Sequence, residues 1–465
     1  MRAVYRKCGL PNYDSNPLIS ALPPILEPHE AAAALTKTVP YQDSMRRLNA
    51  GLRAHSVHSI LEFFQPLNSH LELEGKVSRM IRFGYTGKNP AENKYHQDGA
   101  ARLGVFQSPS SNPALTASTT ILGTSGTGKT TAVNRILSLY PQAITHTEFD
   151  GAAFPHSQLV WLKLECPFDG SVKAIARNFF ASVDRVLGAD YQTLYGVRNM
   201  STDEMLPKIA LIGWNHSLGL LVIDEIQHLS MAKSGGAERA LNFFVELTNT
   251  MNIPILLIGT TKAVRLLSQE FRSARRGCGQ GEMVWRPMAK DSQWDIFLTS
   301  LWRYQFTKKK TPLNEDLSAA LFEESQGITD FAVKLYMLSQ IREIGRGEEV
   351  SSKTIRSVAR DSLQSAQPFL QALRSGDFKH LANYDDIIQP LDYNRLAQEQ
   401  AEKVPIQIVE KENADDPKET KPKTRAKKIK RVAVGGILEA FDNRGKSDGY
   451  SALKAAGLVK SRLPA

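Results

Sequence analysis

Nine consecutive residues, Gly123-Thr-Ser-Gly-Thr-Gly-Lys-Thr-Thr131, have the types and spacing needed to hold a triphosphate. Gly123, Gly126 and Gly128 permit a turn tight enough to aim several backbone N–H groups, among them those of Thr124, Ser125 and Thr127, at one phosphate. Lys129 supplies the charge that reaches the β and γ oxygens, the hydroxyl of Thr130 is a ligand for Mg²⁺, and Thr131 completes the motif. The flanks carry the required order. Ala117–Leu122 has the β-branched content of a short strand, and Val133, Ile136, Leu137 and Tyr140 recur at helical spacing before Pro141. A loop between strand and helix places the anion at a helix N-terminus.

Binding alone does not hydrolyse, and a second group of residues offers the missing chemistry. Asp224 and Glu225 close the apolar run Leu218–Ile223, as a buried parallel strand closes at its ligand-facing edge. Asp224 is expected to hold Mg²⁺ through its water shell, and Glu225, one residue further, to polarise the attacking water. Ile253–Ile258 reads as another such strand, so Thr260 or Thr261 at its end can offer a hydroxyl to the γ-phosphate or the water. Arg272, Arg275 and Arg276 follow in Phe-Arg-Ser-Ala-Arg-Arg-Gly-Cys-Gly; they suit either an arginine finger entering a neighbouring subunit or a surface contact to DNA. The cofactors expected are therefore ATP and Mg²⁺.

These residues need an α/β frame. Residues 113–288 alternate strand-like and helix-like segments as a parallel sheet does, including Leu159–Leu164 as a strand and a helix with Val172, Ile175, Ala176, Phe179, Phe180 and Val183 on one face, capped by Ser171. Residues 289–365 are helical only, with periods at Trp294–Gln305, Leu317–Phe322 and Phe331–Ile344, and read as a helical lid. Residues 1–45 are interrupted by Pro11, Pro17, Pro23 and Pro24 and read as an arm that the main body or a partner must hold. In residues 46–112, aromatics (Phe63, Phe64, Phe83, Tyr85, Tyr95) are interleaved with Arg79, Arg82, Lys88 and Lys94, a pattern of a small core with a charged face or of a nucleic-acid contact.

Residues 366–465 read as a linker, a basic tail and a short C-terminal segment, and +7 of the net charge of +10 lies within residues 418–431. Between Lys418 and Arg431 eight Lys/Arg face one Glu, and with Pro417, Pro422 and few apolar residues this stretch reads as a disordered basic tail suited to nucleic acid or an acidic partner. A short segment, Tyr450–Val459, can be helical. Cys8, Cys166 and Cys278 are far apart, which points to a reducing cytoplasm and no zinc site. No apolar run approaches the ~20 residues of a membrane span, so no membrane partner is expected.

Taken together, these features resemble an AAA+ ATPase. The phrases Phe63-Phe64-Gln-Pro-Leu67, Gly84-Tyr85 followed by Asn89-Pro90, Asp224-Glu-Ile-Gln-His-Leu-Ser230 and Gln326-Gly-Ile-Thr-Asp-Phe331 are similar to those of the TnsC/TniB regulators of bacterial transposons, particularly the longer TnsC type, over residues 60–365. The resemblance implies an ATP-controlled matchmaker of the cytoplasm and nucleoid. Such a protein assembles as a homo-oligomeric ring, a hexamer or heptamer, or as a filament on double-stranded DNA. It receives a target-selection protein of TnsD/TniQ type and activates transposase subunits of TnsA/TnsB type. On this resemblance Lys129 and Thr130 match the phosphate positions, Asp224 and Glu225 the metal and water positions, and Thr260 the sensor. The lid phrase lacks the arginine often found in AAA+ ATPases, with Lys334 the nearest cation. Competing classes are a DNA motor, which would need a second α/β domain, and a nucleotide-switched signalling NTPase, which leaves the basic tail without a purpose. A DNA-reading helix pair can also be read into Leu317–Leu338, and Lys173 and Arg177 are DNA contacts by position alone.

Overall fold

The computed structural model describes residues 1–92, 95, 97, 118–232, 236–264 and 281–375, all within the first of two compact units, 1–399 and 400–465. Seven strands are present among them: β1 (Thr119–Gly123), β2 (Ala143–Phe149), β3 (Ala152–Leu159), β4 (Trp161–Glu165), β5 (Leu220–Asp224), β6 (Ile255–Gly259) and β7 (Glu282–Trp285). Five form one sheet in the order β4-β5-β6-β1-β7, every pair parallel. β1, β5 and β6 are buried at every position, which is why they read as unbroken apolar runs rather than alternating ones. Parallel strands end on the same edge. The residues after β1, β5 and β6 therefore meet although about a hundred residues separate each of the first two from one another in sequence.

Helices cover both faces. On one, helices Val172–Leu187, Thr202–Asn215 and Gly236–Met251 pack Phe179, Phe180, Ile209 and Leu247 on Leu162, Leu221 and Leu257. On the other, helix Lys129–Leu137 and helix Asn68–Thr86 pack Val133, Ile136, Val77 and Met80 on Ile121, Val222 and Ile258. The second of these lies in residues 46–112. The described residues of that stretch join the core of the sheet and that of the lid, and Tyr85 and Tyr95 are buried rather than presented to a nucleic acid. The N-terminal arm is likewise held by the body. Leu18 and Leu22 enter the same core, Ala3 N–H donates to the Thr145 carbonyl at 2.9 Å, and Asn16 Nδ2 donates to the carbonyls of Tyr85 and Lys88.

The expected strand Leu159–Leu164 is divided. Leu159 ends β3, Trp161 begins β4, and β3 pairs with β2 as an antiparallel hairpin outside the main sheet. Its turn is Asp150-Gly151, both with positive φ (51° and 77°), the geometry that Asp-Gly favours between two strands.

The lid contains helices Ser292–Trp302, Glu315–Ser325, Thr329–Glu343, Ser352–Ser362 and Gln367–Ser375. Side chains of Asp291, Asn314 and Ser351 cap the first, second and fourth. Val39, Val57 and Ile60 of the N-terminal segment belong to the lid core with Trp294, Leu335 and Phe369. One ion pair fastens this join. The guanidinium of Arg53, 1% exposed, donates to both carboxylate oxygens of Glu348 at 2.6 Å and to the Phe306 carbonyl at 3.0 Å. Glu348 also accepts backbone N–H from Lys308 and Gly345.

Hydrogen bonding from Arg53, then those two N–H groups, lowers the Glu348 carboxyl to about 2. A depressed carboxyl stabilises the fold above the unfolded value of about 4.3, and this stability is lost as pH falls from there towards 2. Glu348→Gln leaves Arg53 buried without its counter-charge and should lower unfolding stability at pH 7 by about 3–5 kcal/mol. Urea melts at pH 7 and below pH 4 check both parts, because the difference between variant and wild type must shrink in acid.

Candidate nucleotide-binding and hydrolysis site

The loop after β1 is shaped by its glycines for two different reasons. Gly126 and Gly128 have φ of 77° and 86°, a region closed to most side chains, and Gly128 is the N-cap of helix Lys129–Leu137. Gly123 is required by packing: a Cβ there would lie 1.9 Å from the Trp285 carbonyl oxygen, its register partner on β7. Trp285 in turn donates from Nε1 to the Thr127 carbonyl at 2.8 Å, so the edge strand braces the loop. Thr124, Ser125 and Thr127 line the turn, Thr127 Oγ1 donating to the Thr124 carbonyl at 2.7 Å, while Thr131 is exposed one position beyond Thr130. Lys129 is buried and donates to the carbonyls of Gly123 and Thr124 at 2.8 and 2.7 Å. Its ammonium thus rests within the loop, where a phosphate would offer it competing oxygens.

Asp224, 3% exposed, stands across from this loop. Thr130 Oγ1 donates to Asp224 Oδ2 at 2.9 Å, Lys163 on β4 lies 2.9 Å from the same oxygen, and Glu225 N–H donates to Oδ1 at 3.0 Å. The hydroxyl and carboxylate are hard oxygen donors, the set that Mg²⁺ takes together with substrate phosphates and water.

Glu225 occupies the left-handed region at φ 59°, ψ 38°, immediately after β5. Strain of this kind is maintained only where neighbours determine it, and here the neighbour is Gln227. The buried Gln227 side chain donates from Nε2 to the Glu225 carboxylate and accepts at Oε1 from the Thr260 N–H at 3.1 Å. The end of β6 and the acid after β5 are thereby joined through one amide. The Thr260 hydroxyl is buried without a hydrogen-bond partner, an unsatisfied group where a ligand could supply the missing bond. Nearby Cys166 is not a nucleophile: burial, with the charges of Asp169 and Glu225 adding, pushes its thiol up to about 12.

Beside the loop is a cavity of about 130 Å³ lined by Phe63, His70, Gly128, Thr131, Thr329 and Val333 among others. His70 accepts the Leu67 N–H at Nδ1 (2.8 Å), and burial lowers it to about 4, so the ring is neutral at pH 7. The lid touches the loop directly. Asp330 N–H donates to the Gly126 carbonyl at 3.2 Å, and Lys334 is paired with Asp330 at 2.7 Å.

A phosphate loop after β1, an acid pair after β5 and a following helical lid on a five-stranded parallel sheet define the AAA+ P-loop fold of nucleoside triphosphatases. Residues 116–267 match the family model described as an AAA domain. Comparison with curated proteins returns no match. Among solved structures, the chain is similar to a Walker-type ATPase of Pyrococcus abyssi (14% identity, covering 63% of this chain and 79% of that one, TM-score 0.38). It is also similar to the ORC1 protein of Aeropyrum pernix, solved in complex with DNA (16%, 59% and 66%, TM-score 0.38), and to Cdc6p of Pyrobaculum aerophilum (18%, 58% and 67%, TM-score 0.37).

The loop residues, Asp224, Glu225 and Thr260 expected from sequence thus lie at one edge of the sheet. Arg272, Arg275 and Arg276, and the basic tail, lie outside the described residues. Lys173 and Arg177 are on helix Val172–Leu187, where Lys173 Nζ donates to the Arg198 carbonyl at 2.9 Å. The residues that sequence reasoning missed are Lys163, His70, Trp285 and Gln227. Only the last carried a local signal, being two residues after the acid pair.

Gln227→Ala should release the Glu225 carboxylate and orphan the buried Thr260 N–H. We expect turnover of nucleoside triphosphate to fall on the order of 10- to 100-fold with nucleotide affinity unchanged. Steady-state kinetics with a parallel binding titration checks this; loss of affinity in step with turnover would assign Gln227 to binding instead.

Proposed function

We propose that this chain is a Mg²⁺-dependent ATPase that assembles on double-stranded DNA and regulates DNA transposition, linking a target-selection protein to a transposase. The observation that carries the enzymatic part is the joined arrangement of Lys129, the Thr130–Asp224 pair and the Glu225–Gln227–Thr260 connection at one sheet edge. In this reading the loop N–H groups and Lys129 bind the β and γ phosphates, and Thr130 and Asp224 hold the metal. A metal held by these two residues would supply positive charge to offset the negative charge that develops on the phosphate oxygens. Glu225, kept off the metal by its left-handed backbone, orients and polarises the water, and the Thr260 hydroxyl donates to the γ-phosphate or that water. The cavity between Phe63, His70 and the lid takes the base.

The transposition part is supported by where the family-like phrases fall. Phe63-Phe64-Gln-Pro-Leu67 walls the cavity on one side, Thr329 and Asp330 of the lid phrase wall it on the other, and Gln227 of the acid phrase anchors Glu225. These are three separate stretches of sequence that build one site. DNA association is further favoured by the +7 carried by residues 418–431. Arg275 and Arg276 are proposed as the finger residues entering a neighbouring copy's site.

Lys129→Ala should abolish ATP binding, and Glu225→Gln should retain ATP while stopping turnover; undiminished binding or normal turnover would remove those roles. Deleting residues 418–431 should flatten the log–log salt dependence of DNA affinity by up to about 7, with an unchanged slope assigning the tail to a protein partner. For the assembly itself the test is electron microscopy of the full chain with a non-hydrolysable ATP analogue, with and without linear double-stranded DNA. Rings or filaments only with both ligands are the expected result, and monomers under every condition would overturn it.

A further inference from the structure

β4 carries a lysine where its neighbours carry apolar residues. Its sequence is Trp161-Leu-Lys-Leu-Glu165, and Lys163 projects a side chain that is only 21% exposed. Lysine is expensive to bury unless its charge and its donors are used. Both are used here. Nζ is 2.9 Å from Asp224 Oδ2 and donates at 2.9 Å to Asn134 Oδ1, on the helix that begins at the phosphate loop. The same Asp224 oxygen accepts the Thr130 hydroxyl.

A buried carboxylate at this position faces a requirement that changes during the nucleotide cycle. With Mg²⁺ present the ion supplies the counter-charge; without it, a carboxylate 3% exposed has no solvent to replace that charge. A lysine ammonium is a compact point charge on a flexible stem, able to sit at one carboxylate oxygen and to withdraw when a divalent ion arrives. We infer that Lys163 is a resident counter-cation of Asp224: it holds the carboxylate and the Thr130 hydroxyl in place in the metal-free site, and by like-charge repulsion it raises the Mg²⁺ concentration that nucleotide binding requires. This rests on the reading of Thr130 and Asp224 as the metal-holding pair. The consequence is a site that stays folded when Mg²⁺ leaves with the spent nucleotide, and that takes up the metal only with the extra negative charge of a triphosphate.

The test uses the full chain, a fluorescent ATP analogue titrated with Mg²⁺, and thermal melting in EDTA. Lys163→Met should shift the Mg²⁺ midpoint of analogue binding about tenfold lower and reduce the melting temperature in EDTA. The loss in EDTA should disappear when Asp224→Asn is added, since no buried charge then needs compensation. Lys163→Arg, which keeps the charge, should return the midpoint towards wild type. An unmoved or raised midpoint in a folded Lys163→Met chain, with wild type requiring Mg²⁺, overturns the inference and leaves Lys163 a packing residue. Wild-type binding indifferent to Mg²⁺, with Asp224→Asn binding equally well, overturns the metal reading itself and the inference with it, and the two failures are told apart by that wild-type curve.

Discussion

A buried carboxylate, Asp224, and the partners it needs are the constraint around which this molecule is organised. Asp224 ends the inner strand β5, where an uncompensated buried charge would be costly. Its compensation comes from three elements at once: the Thr130 hydroxyl from the phosphate-loop helix, the Lys163 ammonium from β4 and the Glu225 N–H from the chain that follows. Each bond fixes an element that has a second task. The helix fixes the loop, β4 fixes the neighbouring edge of the sheet, and the Glu225 N–H fixes the backbone whose left-handed turn presents the second acid. Satisfying one charge and positioning the acid pair beside the loop are the same event.

The surrounding framework transmits this order outward. β7 meets β1 so closely that Gly123 can carry no side chain, and the same tryptophan that forces this contact braces the loop from outside. His70 packs on that tryptophan, with ring centroids 5.3 Å apart, and on Phe64 at 4.9 Å. The N-terminal segment is therefore part of the wall of the cavity beside the loop. Its other end is committed to the lid through Arg53 and Glu348. One stretch of chain thus touches the loop, the cavity and the lid.

Much of this was legible because the signals were local. The phosphate loop, the acid pair at the end of an apolar run, the Ser171 cap and the lid helices each depend on residues within a few positions of one another, where period and spacing suffice. What was missed depended on distance or on polarity. The hairpin of β2 and β3 has His, Thr, Gln and a Pro155 in its strands, and it pairs outside the main sheet, so no apolar alternation announced it. Yet Asp150-Gly151 is a strong local turn signal and could have revealed it. In residues 46–112 the interleaved aromatic and basic residues fit either a small core with a charged face or a nucleic-acid contact, whereas Tyr85 and the apolar face of helix Asn68–Thr86 are buried against strands more than thirty residues away. Lys163 and Glu348 have no sequence signature at all, since a lysine in a strand or a glutamate in a turn acquires meaning only from the buried charge it meets.

The lid contact completes the physical argument. Asp330 N–H donates to the Gly126 carbonyl, and Lys334 is occupied by the Asp330 carboxylate. The lid phrase has no arginine, and Lys334, the cation nearest that phrase in sequence, is paired with a carboxylate of its own helix. The lid of this chain meets the loop through backbone, at Asp330 and Gly126, and through Thr329 and Val333 in the wall of the cavity.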